Sequence, residues 1–333
     1  MTATRATRPV EVLLPEAMHP TTLAELRSAF TVHALHEALD RDSFLADVGG
    51  RVRAIARGNH APIDADLMRK LPYLEIVSVF GVGYDGIDLG HVRDRGIVVT
   101  NTPGVLDDEV ADFVIGLLIM TLRELPRAER YLRTGGWQQL GKLAPTAGSL
   151  RGRSVGILGL GRIGSAVARR LVAMGVKVSY HSRRQRPDVP YDYYSTPLEL
   201  AAAVDTLIAV LPGGSATTGL VSSAVLDALG SQGVFINVGR GSTVDEPALL
   251  EALENRWILA AGLDVFLNEP HIAPRFLALD NVVLLPHVGS ASRPTHDAMG
   301  RLLVRNLVSW LAGEGPVTPV VETPWPAVAA EQR

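Results

Sequence analysis

Three residues of this chain carry side chains suited to work on one small molecule. They are an arginine in NVGRG (Arg240), a glutamate in DVFLNEP (Glu269) and a histidine in LLPHVGS (His287). Each lies just past a short apolar run with the character of a strand, at 234–238, 259–265 and 282–285. A guanidinium binds a carboxylate in a two-pronged fork and polarises a neighbouring carbonyl. An imidazolium gives a proton to an oxygen on which negative charge develops. A carboxylate behind the imidazole orients it and favours its charged form. Together these groups supply what reduction of a 2-oxo acid needs. Taken singly, each has an ordinary reading: one structural histidine among nine, a surface ion pair, a turn glutamate before Pro270. Their shared placement at strand ends sets them apart, because ligands of open parallel sheets sit off the carboxyl ends of the strands.

A source of hydride is written further back in the chain. An apolar run at 154–158 leads into GLGRIG (Gly159, Leu160, Gly161, Arg162, Ile163, Gly164), then a helical stretch, then a second strand ending in HSRR. The three glycines allow a tight turn, close approach of backbone to a pyrophosphate, and close packing of helix on strand. The helix start at Arg162 and Ile163 offers N–H groups to the phosphates. An NAD-specific site carries an acid about twenty residues after the glycines, where it holds the ribose 2′-hydroxyl. Here that place falls at Ser182, followed by Arg183 and Arg184, with no carboxylate in reach. A small hydroxyl and two guanidinium groups suit a 2′-phosphate, so the expected cofactor is NADPH, with NADH bound more weakly. A solvated basic strand end is the plainer alternative.

The elements that must position these groups alternate along the whole chain. Strand-like runs fall at 10–14, 32–35, 52–56, 75–80 and 97–101, and later at 155–158, 176–180, 206–211, 234–238, 259–265 and 282–285. Helical stretches separate them, for example 65–71. Continuous apolar strands with helices between them predict α/β architecture with parallel sheets covered on both faces. Two such sheets imply two Rossmann-like, doubly wound domains with a cleft between them. A single long helix over 107–133 is the expected crossing, opened by Asp107, Asp108 and Glu109, acids read as simple helix capping. The last helix, from 295 to about 310, follows the final strand and returns to the first domain. The resulting domains are 1–101 with 288–333 for substrate, acting as a lid, and 102–287 for dinucleotide.

Bulk properties exclude several classes. At 333 residues, 47% hydrophobic and 20% charged, the chain is an ordinary globular protein of about two domains. A net charge of −3 leaves no electrostatic footprint for nucleic acid, and no basic run suggests a membrane surface. Absence of cysteine excludes disulfides, thiolate metal sites and a cysteine nucleophile, and fits a reducing, cytoplasmic setting. No metal is expected. The run at 10–14, broken by Glu11, is too short for a signal peptide, and 113–122 is too short to span a bilayer.

Over nearly its whole length the chain resembles the D-isomer-specific 2-hydroxyacid dehydrogenases. The matching segments are GVGYDGIDL (81–89), TNTPGVLDDEVADFVIGLL (100–118), VGILGLGRIGSAVARRL (155–171), VFINVGRGSTVDEPALLEAL (234–253), AAGLDVFLNEP (260–270) and NVVLLPHVGS (281–290). Within the family it looks most like the NADPH-linked reductases of hydroxypyruvate, glyoxylate and hydroxyphenylpyruvate. The resemblance implies that Arg240, Glu269 and His287 are the catalytic set, with Arg240 and His287 also touching substrate. It further implies that Val82 and Gly83 offer backbone N–H groups to the substrate carboxylate. Asp264 would face the nicotinamide carboxamide, Val238 and Gly289 would line that ring, and Leu211, Pro212 and Thr217 would border the adenosine. A homodimer is the usual assembly, in which Trp137 would reach a neighbour's site or serve as a packing anchor. Two departures stand out: LPGGSATT at 211–218 in place of a Leu-Thr-Pro-Glu run, and Asp107 where relatives carry threonine.

The expected activity is NADPH-preferring reduction of short 2-oxo acids, glyoxylate and hydroxypyruvate first, to D-2-hydroxy acids. The sequence is compatible with two rivals. One is an NAD-linked enzyme of the same class, such as a phosphoglycerate dehydrogenase, against which HSRR argues. The other is a cofactor-sensing corepressor or scaffold of the same fold, which would not need an intact Arg–Glu–His set.

Overall fold

The structure, a computed structural model, describes residues 10–58 and 60–325. The described residues form two compact units, one made of those before 107 together with those after 290, the other of residues 107–290.

In the first unit the strands are β1 (Glu11–Leu14), β2 (Thr31–Ala34), β3 (Val52–Arg57), β4 (Ile76–Val79) and β5 (Val98–Thr100). They pair in parallel in the order β2-β1-β3-β4-β5, which reverses between β1 and β3. In the second unit they are β6 (Ser154–Leu158), β7 (Lys177–His181), β8 (Asp192–Tyr193), β9 (Thr206–Ala209), β10 (Val234–Asn237), β11 (Ala260–Leu263) and β12 (Val282–Leu284). Their order is β12-β11-β10-β9-β6-β7-β8, again all parallel, and it reverses between β6 and β9. Both are doubly wound sheets. β9, β10 and β11 are buried at every position, which is why their sequences run apolar without alternation.

Every strand-like run of the sequence yields a strand, but several end early. The run at 206–211 stops pairing at Ala209, and that at 259–265 at Leu263. Burial outlasts the ladder there: Leu211 and Val265 remain buried after the strands have ended. β8 has no apolar signature, because it is a two-residue edge strand in a polar stretch.

The predicted single helix over 107–133 is two helices, Asp107–Leu122 and Leu125–Arg133. Pro126 explains the break. It has no N–H for the Leu122 carbonyl, and its ring would collide with that group in a continuous helix. The chain turns through Glu124 at φ 48° and restarts with Pro126 in the first turn. The reading of the leading acids as caps is also incomplete. Asp107 accepts from Arg162 Nε at 2.8 Å, while Asp108 and Asp112 flank Arg170, tying this helix to the one at Arg162–Ala173.

The final helix, Arg293–Leu311, belongs to the first unit and packs over β4 and the helix Pro20–Ala29. Gly300 lets it come close, since a Cβ there would lie 2.0 Å from Thr22 Oγ1. Beyond it the chain runs along the outer edge of β5 and covers it. Val320 N–H donates to the Val99 carbonyl at 2.9 Å, and Thr318 Oγ1 donates to the Asn101 carbonyl at 2.6 Å. Fully buried Asn306 fastens this segment to the helix, accepting from the N–H groups of Val317 (3.0 Å) and Thr318 (2.9 Å) and donating to Thr318 Oγ1. Asn306→Ala removes every one of these part-buried bonds. It should lower unfolding free energy by roughly 1–3 kcal/mol, read by urea titration, as expected for the loss of several part-buried hydrogen bonds; a loss under about 0.5 kcal/mol would contradict this role.

Candidate active site

The second unit brings together the loops that follow β10, β11 and β12. His287 Nδ1 lies 2.7 Å from Glu269 Oε2, and Glu269 Oε1 accepts the Phe266 N–H at 2.9 Å. Nδ1 faces the carboxylate, and Nε2 is the ring's other nitrogen. His287 sits at φ 54°, a left-handed backbone uncommon for a residue with a side chain.

Asp264, 2% exposed at the end of β11, holds that conformation. Its Oδ1 accepts the Val288 N–H at 2.8 Å and its Oδ2 the Gly289 N–H at 2.9 Å, while its carbonyl takes the His287 N–H at 2.8 Å. Burial pushes the Asp264 carboxyl pKa above its ordinary value, and the two backbone donors pull the other way. Gly289 must be small, because a Cβ would come within 3.1 Å of Asp264 Oδ2 and 3.5 Å of the Phe113 ring.

Arg240 rides on a loop braced by Asn237, a buried residue that sequence reasoning passed over. Asn237 Oδ1 accepts from the Gly239 N–H and its Nδ2 donates to the Arg240 carbonyl, each at 3.1 Å. Thr243 Oγ1 donates to the same carbonyl at 2.7 Å. Gly241 then packs directly on the next loop: a Cβ there would lie 1.9 Å from the Phe266 carbonyl carbon. The Arg240 and Glu269 loops are thereby locked edge to edge. The only sequence signal for Asn237 was its place at the end of a strand.

The glycine turn after β6 fits a dinucleotide. Gly159 adopts φ 94°, and a Cβ on Gly164 would strike the Gly159 carbonyl at 2.1 Å, so the helix Arg162–Ala173 starts hard against the turn. A Cβ on Gly161 would meet nothing within 4 Å, which leaves the face of the turn open for phosphate. Leu160 is buried, Ile163 half-buried, and Arg162 reaches back to Asp107. Asp107 Oδ1 is buried with no hydrogen-bond partner, the kind of acceptor a ribose hydroxyl satisfies.

Across the order reversal, Leu211 is buried and Gly239 lies against its backbone, where a Cβ would come within 2.5 Å of the Leu211 carbonyl oxygen. Pro212 is exposed, Val238 is half-buried, and Val238 N–H donates to Ala209. Thr217 uses its hydroxyl on the Pro212 carbonyl at 2.7 Å, bracing the LPGGSATT turn. At the end of β7, Arg183 and Arg184 are exposed, while Ser182 Oγ donates to the Arg184 carbonyl at 2.6 Å. Ser182 thus shapes the turn that carries both arginines.

In the first unit Val82 and Gly83 lie in a half-buried loop after β4. Asn101 Nδ2 donates to the Val82 carbonyl at 2.9 Å, and Thr102 Oγ1 accepts the Gly81 N–H at 3.0 Å. The loop is held by its carbonyls and by Gly81, and among the described residues the N–H groups of Val82 and Gly83 donate to no protein acceptor.

Comparison with known proteins finds close relatives of the chain. The family model described as "D-isomer specific 2-hydroxyacid dehydrogenase, NAD binding domain" matches residues 115–289. The chain is 44% identical to glyoxylate/hydroxypyruvate reductase A of Arabidopsis thaliana over 297 residues, covering 89% of this chain and 94% of the relative. It is 45% identical to hydroxyphenylpyruvate reductase of Plectranthus scutellarioides over 278 residues, covering 84% and 88%. Among solved structures, an NADPH-dependent glyoxylate/hydroxypyruvate reductase of Sinorhizobium meliloti, in complex with NADP and malonate, superposes with a TM-score of 0.90. It shares 48% identity, over 96% of this chain and 98% of that one.

The contact at Gly241 makes a sharp prediction. Gly241→Ala forces the Arg240 and Glu269 loops apart, because the clash is with backbone and no side chain can yield. Turnover should fall by roughly ten- to a hundred-fold, the cost of misplacing a reacting group by about an ångström, in a protein that still melts cooperatively. Wild-type steady-state kinetics in the alanine variant would show that the two loops are not coupled.

Proposed function

The chain belongs to the D-isomer-specific 2-hydroxyacid dehydrogenase family, and from that membership we propose that it is an NADPH-preferring reductase of short 2-oxo acids. Glyoxylate and hydroxypyruvate are the leading substrates, and D-2-hydroxy acids are the products. The observation that carries this reading is the His287–Glu269 pair, at 2.7 Å, set at the carboxyl edge of a sheet with a dinucleotide cradle.

The glycine turn at 159–164, with Arg162, would hold the pyrophosphate, and Ser182, Arg183 and Arg184 the adenosine end. Leu211, Pro212 and Thr217 would border the adenosine; Val238, Asp264 and Gly289 would surround the nicotinamide. When bound, the dihydronicotinamide supplies the hydride. Arg240 binds the substrate carboxylate and draws electron density from the adjacent carbonyl. His287, held by Glu269 through Nδ1, keeps a proton on Nε2 and delivers it to the carbonyl oxygen as negative charge builds there. Glu269 fixes the ring's orientation and offsets the positive charge of the donating form. Val82 and Gly83 would offer backbone N–H groups to the substrate carboxylate.

Residues 1–101 with 288–333 serve as the substrate-binding portion in this reading, and 102–287 as the dinucleotide portion. Absence of cysteine suits a cytoplasmic setting, and among the described residues no helix is long and apolar enough to cross a membrane. A homodimer is supported by exposed apolar side chains on two neighbouring short helices, Leu125–Arg133 and Gly136–Leu140, where Leu132, Trp137 and Leu140 face solvent.

Two experiments test the reading. With NADPH and glyoxylate followed at the nicotinamide absorbance band, His287→Gln should lose about 10²–10⁴ in turnover while binding NADPH as before. Near-normal turnover by His287→Gln would remove it as the proton donor. For the cofactor, the unaltered protein should favour NADPH over NADH in kcat/KM by about two to four powers of ten, from charge-assisted contacts less solvent screening. Ser182→Asp combined with Arg183→Ala and Arg184→Ala should reverse that order. Equal use of both cofactors by the unaltered protein would mean that the arginine pair faces only water.

A further inference from the structure

The loop that leaves β7 is fastened at more points than its length requires. Tyr180, fully buried on β7, accepts the Arg186 N–H on its hydroxyl at 2.7 Å and donates to the Arg186 carbonyl at 3.3 Å. Ser182 closes the turn between them through the Arg184 carbonyl. The Arg186 side chain then crosses to a different element. Its Nη1 donates to the Leu160 carbonyl inside the glycine turn at 3.0 Å, and to Ser165 Oγ on the following helix at 2.9 Å. Its Nε donates to Asp188 Oδ1 at 3.2 Å, and its Nη2 pairs with Asp188 Oδ2. All three guanidinium nitrogens are therefore occupied. Arg183 and Arg184, three and two residues earlier, are exposed, and among the described residues their guanidinium groups make no ion pair.

We propose that Arg186 is a positioning residue for recognition of the adenosine 2′-phosphate. It pins the loop at 182–188 to the glycine turn, so that Arg183 and Arg184 meet the phosphate on an ordered backbone. This assignment rests on the NADPH reading above and adds a residue that reading did not contain. The physical reason is preorganisation. Two long cationic side chains on a loose loop lose freedom on binding, and fixing the backbone beforehand removes part of that cost. The fork of Arg186 suits the task because one planar group spans a carbonyl, a hydroxyl and a carboxylate on separate segments.

The test is isothermal titration calorimetry of the full chain with 2′,5′-ADP and 5′-AMP, which differ only in the 2′-phosphate. The unaltered chain should favour 2′,5′-ADP. Arg186→Ala should cut that preference about ten-fold, the scale of ordering two rotamer-rich side chains at binding. Arg186→Lys should recover little of it, since an ammonium cannot span the same three partners. Ser165→Ala removes one anchor and keeps every charge, so it should cost about two- to three-fold; it also serves if Arg186→Ala does not fold. Equal binding of the two nucleotides by the unaltered chain would overturn the NADPH reading, and this inference with it. A preference present in the unaltered chain and unchanged in both alanine variants would overturn this inference alone. Full preference in Arg186→Lys, with loss in Arg186→Ala, would make Arg186 a direct charge contact and overturn the positioning role.

Discussion

One buried carboxylate organises the proposed chemistry. Asp264 takes the N–H groups of Val288 and Gly289 on its two oxygens, and its own backbone receives the N–H of His287 while donating to the Asn237 carbonyl at 3.0 Å. A single residue at the end of β11 thus sets the chain leaving β12 and touches the chain leaving β10. The left-handed backbone of His287 is not a local preference of histidine; the surrounding bonds impose it. Desolvation of Asp264 is the cost of that arrangement, and the two backbone donors are the compensation. An uncharged apolar residue could fill the same volume but could not hold the loop.

Small residues extend this order sideways. Gly239 lies on the Leu211 backbone, Gly241 on the Phe266 carbonyl, and Gly289 between Asp264 and Phe113. Each permits one strand-end loop to rest on the next with no side chain between. The loops after β9, β10, β11 and β12 then behave as one packed rim, in keeping with close packing in protein interiors. Glu269 is placed by this rim as much as by its own hydrogen bond to Phe266. The chemistry proposed for the site depends on that rigidity, since a guanidinium and an imidazolium must address adjacent atoms of one small substrate.

Much of this was readable in the amino-acid sequence, for definite reasons. Parallel strands buried on both faces leave long apolar runs, and those runs marked every strand except β8, whose Asp192–Tyr193 edge buries too little to leave a pattern. The glycine turn was legible because its constraints are steric and local. Arg240, Glu269 and His287 were legible because strand ends are where such side chains are placed. Other features were hidden because they depend on partners distant in sequence. Nothing near Arg186 announces Leu160, 26 residues away, and nothing near Asn237 tells a bracing amide from a capping one. The helix break at Glu124 was visible in principle, through Pro126, and lost to the apolar periodicity on either side. Ser182 was read, from its position and small hydroxyl, as part of a 2′-phosphate site beside the two arginines; its bond to the Arg184 carbonyl was not visible in sequence.

The discontinuous first unit bears on how the chain is made. Residues 107–290 are contiguous and carry their own sheet and core, so this unit can fold as soon as it leaves the ribosome. The first unit must wait. Its five strands emerge before residues 107–290, but the helix Arg293–Leu311 that covers β4, and the segment that pairs along β5, are translated only after them. At synthesis rates of about 5–20 residues per second, the apolar face of β4 and the open edge of β5 stay uncovered for on the order of ten seconds or longer. In that interval the nascent chain is exposed to chaperones and to its own neighbours on the polysome.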